Sequence, residues 1–126
     1  MANRILKALV FLPALLFMFT GARWLVAPVE AADTLGLTLG GGLGRSSLIG
    51  DMSGFFLTLG SCMLIALITQ RRTWYYPPIM LLAVTALGRI VAWLLHDATL
   101  AASQIMIELI VACILLVASR RLPQEQ

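Results

Sequence analysis

Two charged residues stand inside stretches that are otherwise apolar. Arg89 interrupts the run from Ile79 to Leu95, and Glu108 interrupts the run from Leu100 to Ser119. An arginine keeps its proton, and placing one near the centre of a bilayer costs at least ~2.5 kcal/mol even on a lenient insertion scale. A carboxylate at the same depth offsets that cost. The spacing provides one: Arg89 lies nine residues before Ala98 and Glu108 ten residues after it. An antiparallel hairpin turning at His96-Asp97-Ala98-Thr99 therefore brings both to one level, roughly 14 Å below the turn at ~1.5 Å per residue. The expected chemistry is an ion pair inside hydrocarbon.

The neighbours of each charge repeat at helical spacing. Thr85, Arg89, Ala92 and His96 fall at i, i+4, i+7 and i+11, and Ala101, Gln104, Glu108 and Ala112 form the answering stripe. Two such stripes on adjacent helices are expected to face each other or a shared cavity rather than lipid. Asp51 opens an earlier apolar run and Arg45 precedes it by six residues. Both are expected in the same half of the protein, giving a cluster of Arg45, Asp51, Arg89 and Glu108 with Gln104, Thr85 and His96 around it. Three roles fit these residue types. The pair can lock two helices together. It can bind the polar head of a hydrophobic molecule, a lipid or a quinone, whose tail lies between helices. Or Glu108 can relay protons through Gln104 to His96 and Asp97, as a small proton-coupled transporter requires.

The elements that must position these residues follow from composition. Of 126 residues 60% are hydrophobic and 12% charged, about half the charge of a soluble domain. The class implied is a single integral membrane domain, all-α, a four-helix transmembrane bundle. Spans are expected at about 5–20, 51–70, 75–95 and 100–119. Arg4 and Lys7 with the apolar run after them also resemble a signal peptide; the expectation is a first transmembrane helix. The stretch 21–50 is expected to be interfacial or re-entrant, with Trp24 among short apolar groups, Glu30 and Asp33 at headgroup level, and Gly40, Gly41, Gly42 and Gly44 as a flexible turn. Gly50, Gly54, Thr58 and Cys62 form an i, i+4 ladder of small residues, the expected packing face of the second span. Trp74, Tyr75 and Tyr76 are expected to form an aromatic belt, and Pro77 and Pro78 to open the third span. Arg120-Arg121-Leu122-Pro123 is expected to end the fourth.

Several chemistries are excluded by what is missing. The net charge of +3 resides mostly in basic residues flanking the spans, which encodes topology rather than nucleic-acid binding. Cys62 and Cys113 are isolated, without a C-x-x-C or a metal-ligand spacing. The glycine-rich stretch lacks the Lys-Ser/Thr ending of a phosphate loop, and nothing activates Ser61 as a nucleophile. The sequence shows no cofactor beyond the lipid or quinone a cavity would take.

One resemblance covers most of the chain from Phe17 to Leu116. The residues Trp24, Pro28, Ala31-Ala32, Leu35-Gly36-Leu37, Gly44-Arg45-Ser46, Asp51-Met52-Ser53-Gly54-Phe55-Phe56, Leu87-Gly88-Arg89 and Ile107-Glu108-Leu109 occur in that order. In this the chain resembles a group of uncharacterised bacterial four-helix membrane proteins classed as a domain of unknown function, itself distantly similar to DoxX-like proteins, some associated with quinone-linked redox systems. The resemblance implies that Arg45, Asp51, Arg89 and Glu108 act as a set. Taken with the site residues, the expected protein is one that binds a lipid or quinone in the outer half of the bundle, or alternatively an accessory subunit or assembly factor of a larger membrane complex, more than an enzyme; its expected partners are membrane lipids and either such a complex or further copies of itself.

Orientation follows from the Lys/Arg distribution. Arg4 and Lys7, Arg71 and Arg72, and Arg120 and Arg121 fall on one side of a four-span arrangement, the side expected in the cytoplasm of a bacterial inner membrane. Reporter fusions check this: one joined after Gln126 is expected to report the cytoplasm, and one joined after Ala98 the exterior.

Overall fold

The computed structural model describes residues 2–122, so Pro123 lies outside the described residues. The order is α1 (Ala2–Val26), α2 (Pro28–Thr34), α3 (Gly42–Thr69), a 3-10 turn (Arg72–Tyr75), α4 (Tyr76–Leu95) and α5 (Ala102–Arg121). No strand occurs among the described residues. Four helical segments are long and apolar enough to cross a membrane: Ala2–Val26, Gly42–Thr69, Arg72–Leu95 and Ala102–Arg121. This is the all-α class that the composition implies. By packing, the described chain divides into two compact units, Leu12–Ser61 on one hand, and 2–11 with 62–122 on the other.

Within Leu12–Ser61 the helices run longer than expected. The first continues past Thr20 to Val26, and α3 begins at Gly42 rather than Asp51. No proline falls between Pro28 and Pro77. In apolar surroundings an unmade backbone hydrogen bond costs more than the ~1 kcal/mol helix penalty of a glycine, so helix continues through Gly44 and Gly50. The connection shrinks to 27–41. Inside it, α2 starts on Pro28 and stops at Gly36, whose φ is +71°. The Gly36 N–H donates to Asp33 O and the Leu37 N–H to Ala32 O, at 3.0 and 2.8 Å. This glycine-terminated cap satisfies the last carbonyls of a seven-residue helix.

The longer α1 changes the role of Trp24. On the extended helix it continues the stripe Val10, Ala14, Phe17, Gly21, spaced by three and four, and it is fully buried. It joins Ala31 and Ala32 in a core against which Leu35, Leu37, Leu39, Leu48, Ile49, Met52 and Phe56 pack. Trp24 is therefore a core residue of this unit rather than an exposed one.

The glycine contacts also fall elsewhere than expected. A Cβ built on Gly50 or Gly54 would meet nothing within 4 Å, and Thr58 is exposed. The close approach is made by Gly60, where a Cβ would lie 2.7 Å from both Ala14 O and Met18 Cγ. Gly21 makes a second, where a Cβ would lie 2.7 Å from Leu57 Cγ and 2.9 Å from Leu57 N. Here α1 and α3 touch backbone to backbone. Phe17 stacks on Phe56 with centroids 6.1 Å apart beside these contacts.

In the other unit α4 packs on α5, and the 3-10 turn packs on both. Pro77 and Pro78 occupy the first turn of α4 as expected, where the missing N–H groups have no intrahelical role. Tyr75 is fully buried, whereas Trp74 and Tyr76 are 36% and 46% exposed. Of the three aromatics expected to form a belt, two are thus exposed, because one turn of helix cannot present three consecutive side chains to the same side.

These contacts predict opposite outcomes for two alanines. Gly60→Ala is expected to lose roughly 1–3 kcal/mol, since the obstructing atom is a backbone oxygen. Gly54→Ala is expected to be neutral or stabilising by up to ~1 kcal/mol. Denaturation of the purified protein in a detergent titration measures both.

Candidate functional site

The site is built on a seam. From Tyr75 in the 3-10 turn along α4, the positions Tyr75, Pro78, Leu82, Thr85/Ala86 and Arg89 recur by threes and fours. Along α5 Ile105, Glu108, Val111, Leu115, Ala118 and Leu122 do the same. That 3.5-residue repeat is the signature of two helices meeting along one line. Every member of the α5 row is buried, Glu108 among apolar neighbours. The charged pair replaces one apolar layer of this seam.

Its geometry is direct. Arg89 Nε donates to Glu108 Oε1 at 3.1 Å and to Oε2 at 3.0 Å. The antiparallel arrangement expected from the spacing about Ala98 is therefore present, with α4 ending at Leu95 and α5 beginning at Ala102. Asp97 takes a left-handed conformation, φ +58°, and the Ala98 N–H returns to Ala92 O at 3.2 Å. Aspartate tolerates that conformation better than most residues.

The two partners differ in exposure. The Glu108 side chain is 11% exposed and that of Arg89 is 34% exposed. Only Nε of the guanidinium bonds to the carboxylate. Nη1 and Nη2 make no hydrogen bond to the described residues. The pair also marks where the seam opens: from Arg89 to Gln104 no residue is buried, and burial resumes at Ile105. The carboxylate is the buried partner and the guanidinium the more exposed one.

The other expected site residues are placed as follows. Thr85 donates its hydroxyl to Leu81 O at 2.6 Å, the back-bond of a helical threonine, and makes no hydrogen bond to the pair. Gln104 Oε1 accepts from Ser103 Oγ at 3.2 Å. His96 is exposed at the end of α4. No hydrogen-bonded chain among the described residues leads from Glu108 through Gln104 to His96. Arg45 and Asp51 belong to the other unit. There Arg45 Nε donates to Gly40 O at 2.8 Å, tying the start of α3 to the turn before it. Both are exposed, and six residues apart they do not share a helix face.

A feature that the sequence reading used only for topology is a cavity of about 340 Å³ at the other end of the hairpin, lined by Arg72, Tyr76, Leu116, Ser119 and Arg120. The basic and aromatic residues flanking the spans were its only sequence signal. No family model, no curated protein and no solved structure matches the chain.

Breaking the pair has a measurable cost. Glu108→Ala is expected to lose about 3 kcal/mol, the low end for a buried pair because Arg89 is partly exposed. Changing both residues to methionine is expected to restore most of it. Unfolding in detergent distinguishes the single from the double variant.

Proposed function

We propose that the protein is a multi-pass protein of a bacterial inner membrane, with both termini in the cytoplasm, that binds the polar head of a lipid or quinone at Arg89. The observation that carries this reading is the division of labour within the guanidinium. Nε neutralises Glu108, while Nη1 and Nη2 make no hydrogen bond to the described residues, and the Arg89 side chain is 34% exposed at the layer beyond which burial on α4 stops. A guanidinium presents its donors in a fixed fork that suits oxygen acceptors of a phosphate, carboxylate or quinone carbonyl. The exposed side chain of Trp93, one turn on from Arg89 on the same face of α4, gives the tail of such a molecule a surface to lie against. Glu108 holds the guanidinium in place without saturating it. The reading needs only the α4–α5 hairpin.

A second reading is favoured by the burial of Glu108 within the heptad seam. A polar layer at one such position sets the register of two helices, so the pair acts as a helix lock, as in an accessory subunit with no ligand of its own.

Arg89→Lys separates the two. Lysine keeps the charge beside Glu108 but lacks the fork. Under the binding reading the folded variant is expected to retain roughly tenfold less of the lipid or quinone that accompanies the protein through mild detergent. Mass spectrometry of the purified protein reads this. An amphiphile complement unchanged in both Arg89→Lys and the double methionine variant would leave the lock alone standing.

A further inference from the structure

The charges of the α4–α5 hairpin do not add up to a cationic site. From Ile79 to Ser119 the arginine, lysine, aspartate and glutamate residues are Arg89, Asp97 and Glu108, one cation against two carboxylates. Glu108 takes up the charge of Arg89, whose Nε bonds both of its oxygens at 3.1 and 3.0 Å. Asp97 stands exposed in the turn between the helices. The pair is also deep. Arg89 lies six residues before the end of α4 and Glu108 six residues after the start of α5, roughly 9 Å of helix rise in each case. With 20 residues α5 matches the ~30 Å thickness of the hydrocarbon, so the layer falls within it, below the level at which phosphates meet water. What remains there for a ligand is hydrogen-bonding capacity without net charge. Nη1 and Nη2 make no hydrogen bond to the described residues, and the Arg89 side chain is 34% exposed against 11% for Glu108.

We infer that the Arg89 site selects an uncharged head, a carbonyl oxygen on a lipid-soluble molecule, and rejects anionic heads; the inference rests on the reading of Arg89 as a binding site and narrows it. Since Glu108 already matches the guanidinium, an anionic head would leave a net negative charge in low dielectric. The next charge along the hairpin, Asp97, would repel it further. A carbonyl accepts from a guanidinium N–H in a charge-assisted bond and leaves the layer neutral. It also reaches that depth without an ion having to leave water. The ring carbonyl of a quinone and the ester carbonyl of a diacylglycerol share this chemistry.

The full-length protein in phosphatidylcholine nanodiscs tests it. The probes, added at equal mole fraction, are a long-chain quinone and a diacylglycerol, both uncharged, and phosphatidylglycerol and a long-chain alkyl sulfonate, both permanent anions. Native mass spectrometry counts what the protein retains after release into mild detergent, and the share lost in Arg89→Lys is assigned to the site. That share is expected to favour the uncharged probes about tenfold. Retention of the quinone alone supports a site for a ring carbonyl; retention of the diacylglycerol supports one for which an ester carbonyl suffices. Glu108→Gln keeps the size and an acceptor oxygen but leaves the charge of Arg89 unmatched, and is expected to shift the preference about tenfold towards the anions. Asp97→Asn leaves the pair intact and is expected to shift it the same way by about twofold, so charge remains testable if Glu108→Gln fails to fold. A mainly anionic share in the unaltered protein, or a preference unmoved by every variant that folds, would overturn the inference while leaving binding at Arg89 in place. If no probe shows an Arg89-dependent share, the binding reading itself falls, and the inference with it.

Discussion

An arginine embedded in an apolar helix needs a compensating group, and much of the α4–α5 hairpin follows from that requirement. Charge in low dielectric is costly enough that the two helices have few registers open to them once Arg89 is committed. Only a register that brings Glu108 alongside leaves neither charge uncompensated. The turn is built accordingly, with Asp97 in a left-handed conformation closing the end of α4. An apolar seam continues from the pair towards Tyr75 and Leu122. Electrostatics sets the register, and apolar packing then holds it.

The two units solve the problem of helix association differently. In hydrocarbon, apolar side chains gain little by meeting each other instead of lipid, so close steric fit matters more than hydrophobicity. The α1–α3 contact uses this directly: Gly21 and Gly60 allow backbone to lie against the opposite helix, where even a methyl group would collide. The α4–α5 contact has no such glycine, since Gly88 faces open space. It relies on a heptad row with one polar layer. The first mode is sensitive to side-chain volume and the second to charge.

Much of the candidate site was legible in the sequence because charge is rare there. Arg89 and Glu108 stand out against their surroundings, and helical rise converts their distance from Ala98 directly into depth. The extent of the helices was less legible. Gly44 and Gly50 read as loop residues by propensity, yet where water is scarce a glycine helix is cheaper than an unsatisfied backbone, and α3 runs through them. Ending α1 at Thr20 in turn hid the stripe that places Trp24 in a core. The suggested relay was a matter of spacing alone; the hydroxyl of Thr85 and the amide of Gln104 take partners on their own helices.

The sequence by itself determined the class, the number of long apolar helices and the pairing of Arg89 with Glu108, since each depends on composition or on counting residues along a known helix geometry. Tertiary structure decided which faces meet. In helices that are apolar all round, hydropathy carries no contrast between an inner and an outer side, and candidate small-residue ladders exist on more than one face. Steric fit chose Gly60 and Gly21 over Gly50 and Gly54, buried Tyr75 but left Trp74 and Tyr76 exposed, and bonded Arg89 through Nε alone. The opening of the seam beyond that layer is likewise a property of the folded hairpin. It is what turns a compensated charge into a candidate binding site.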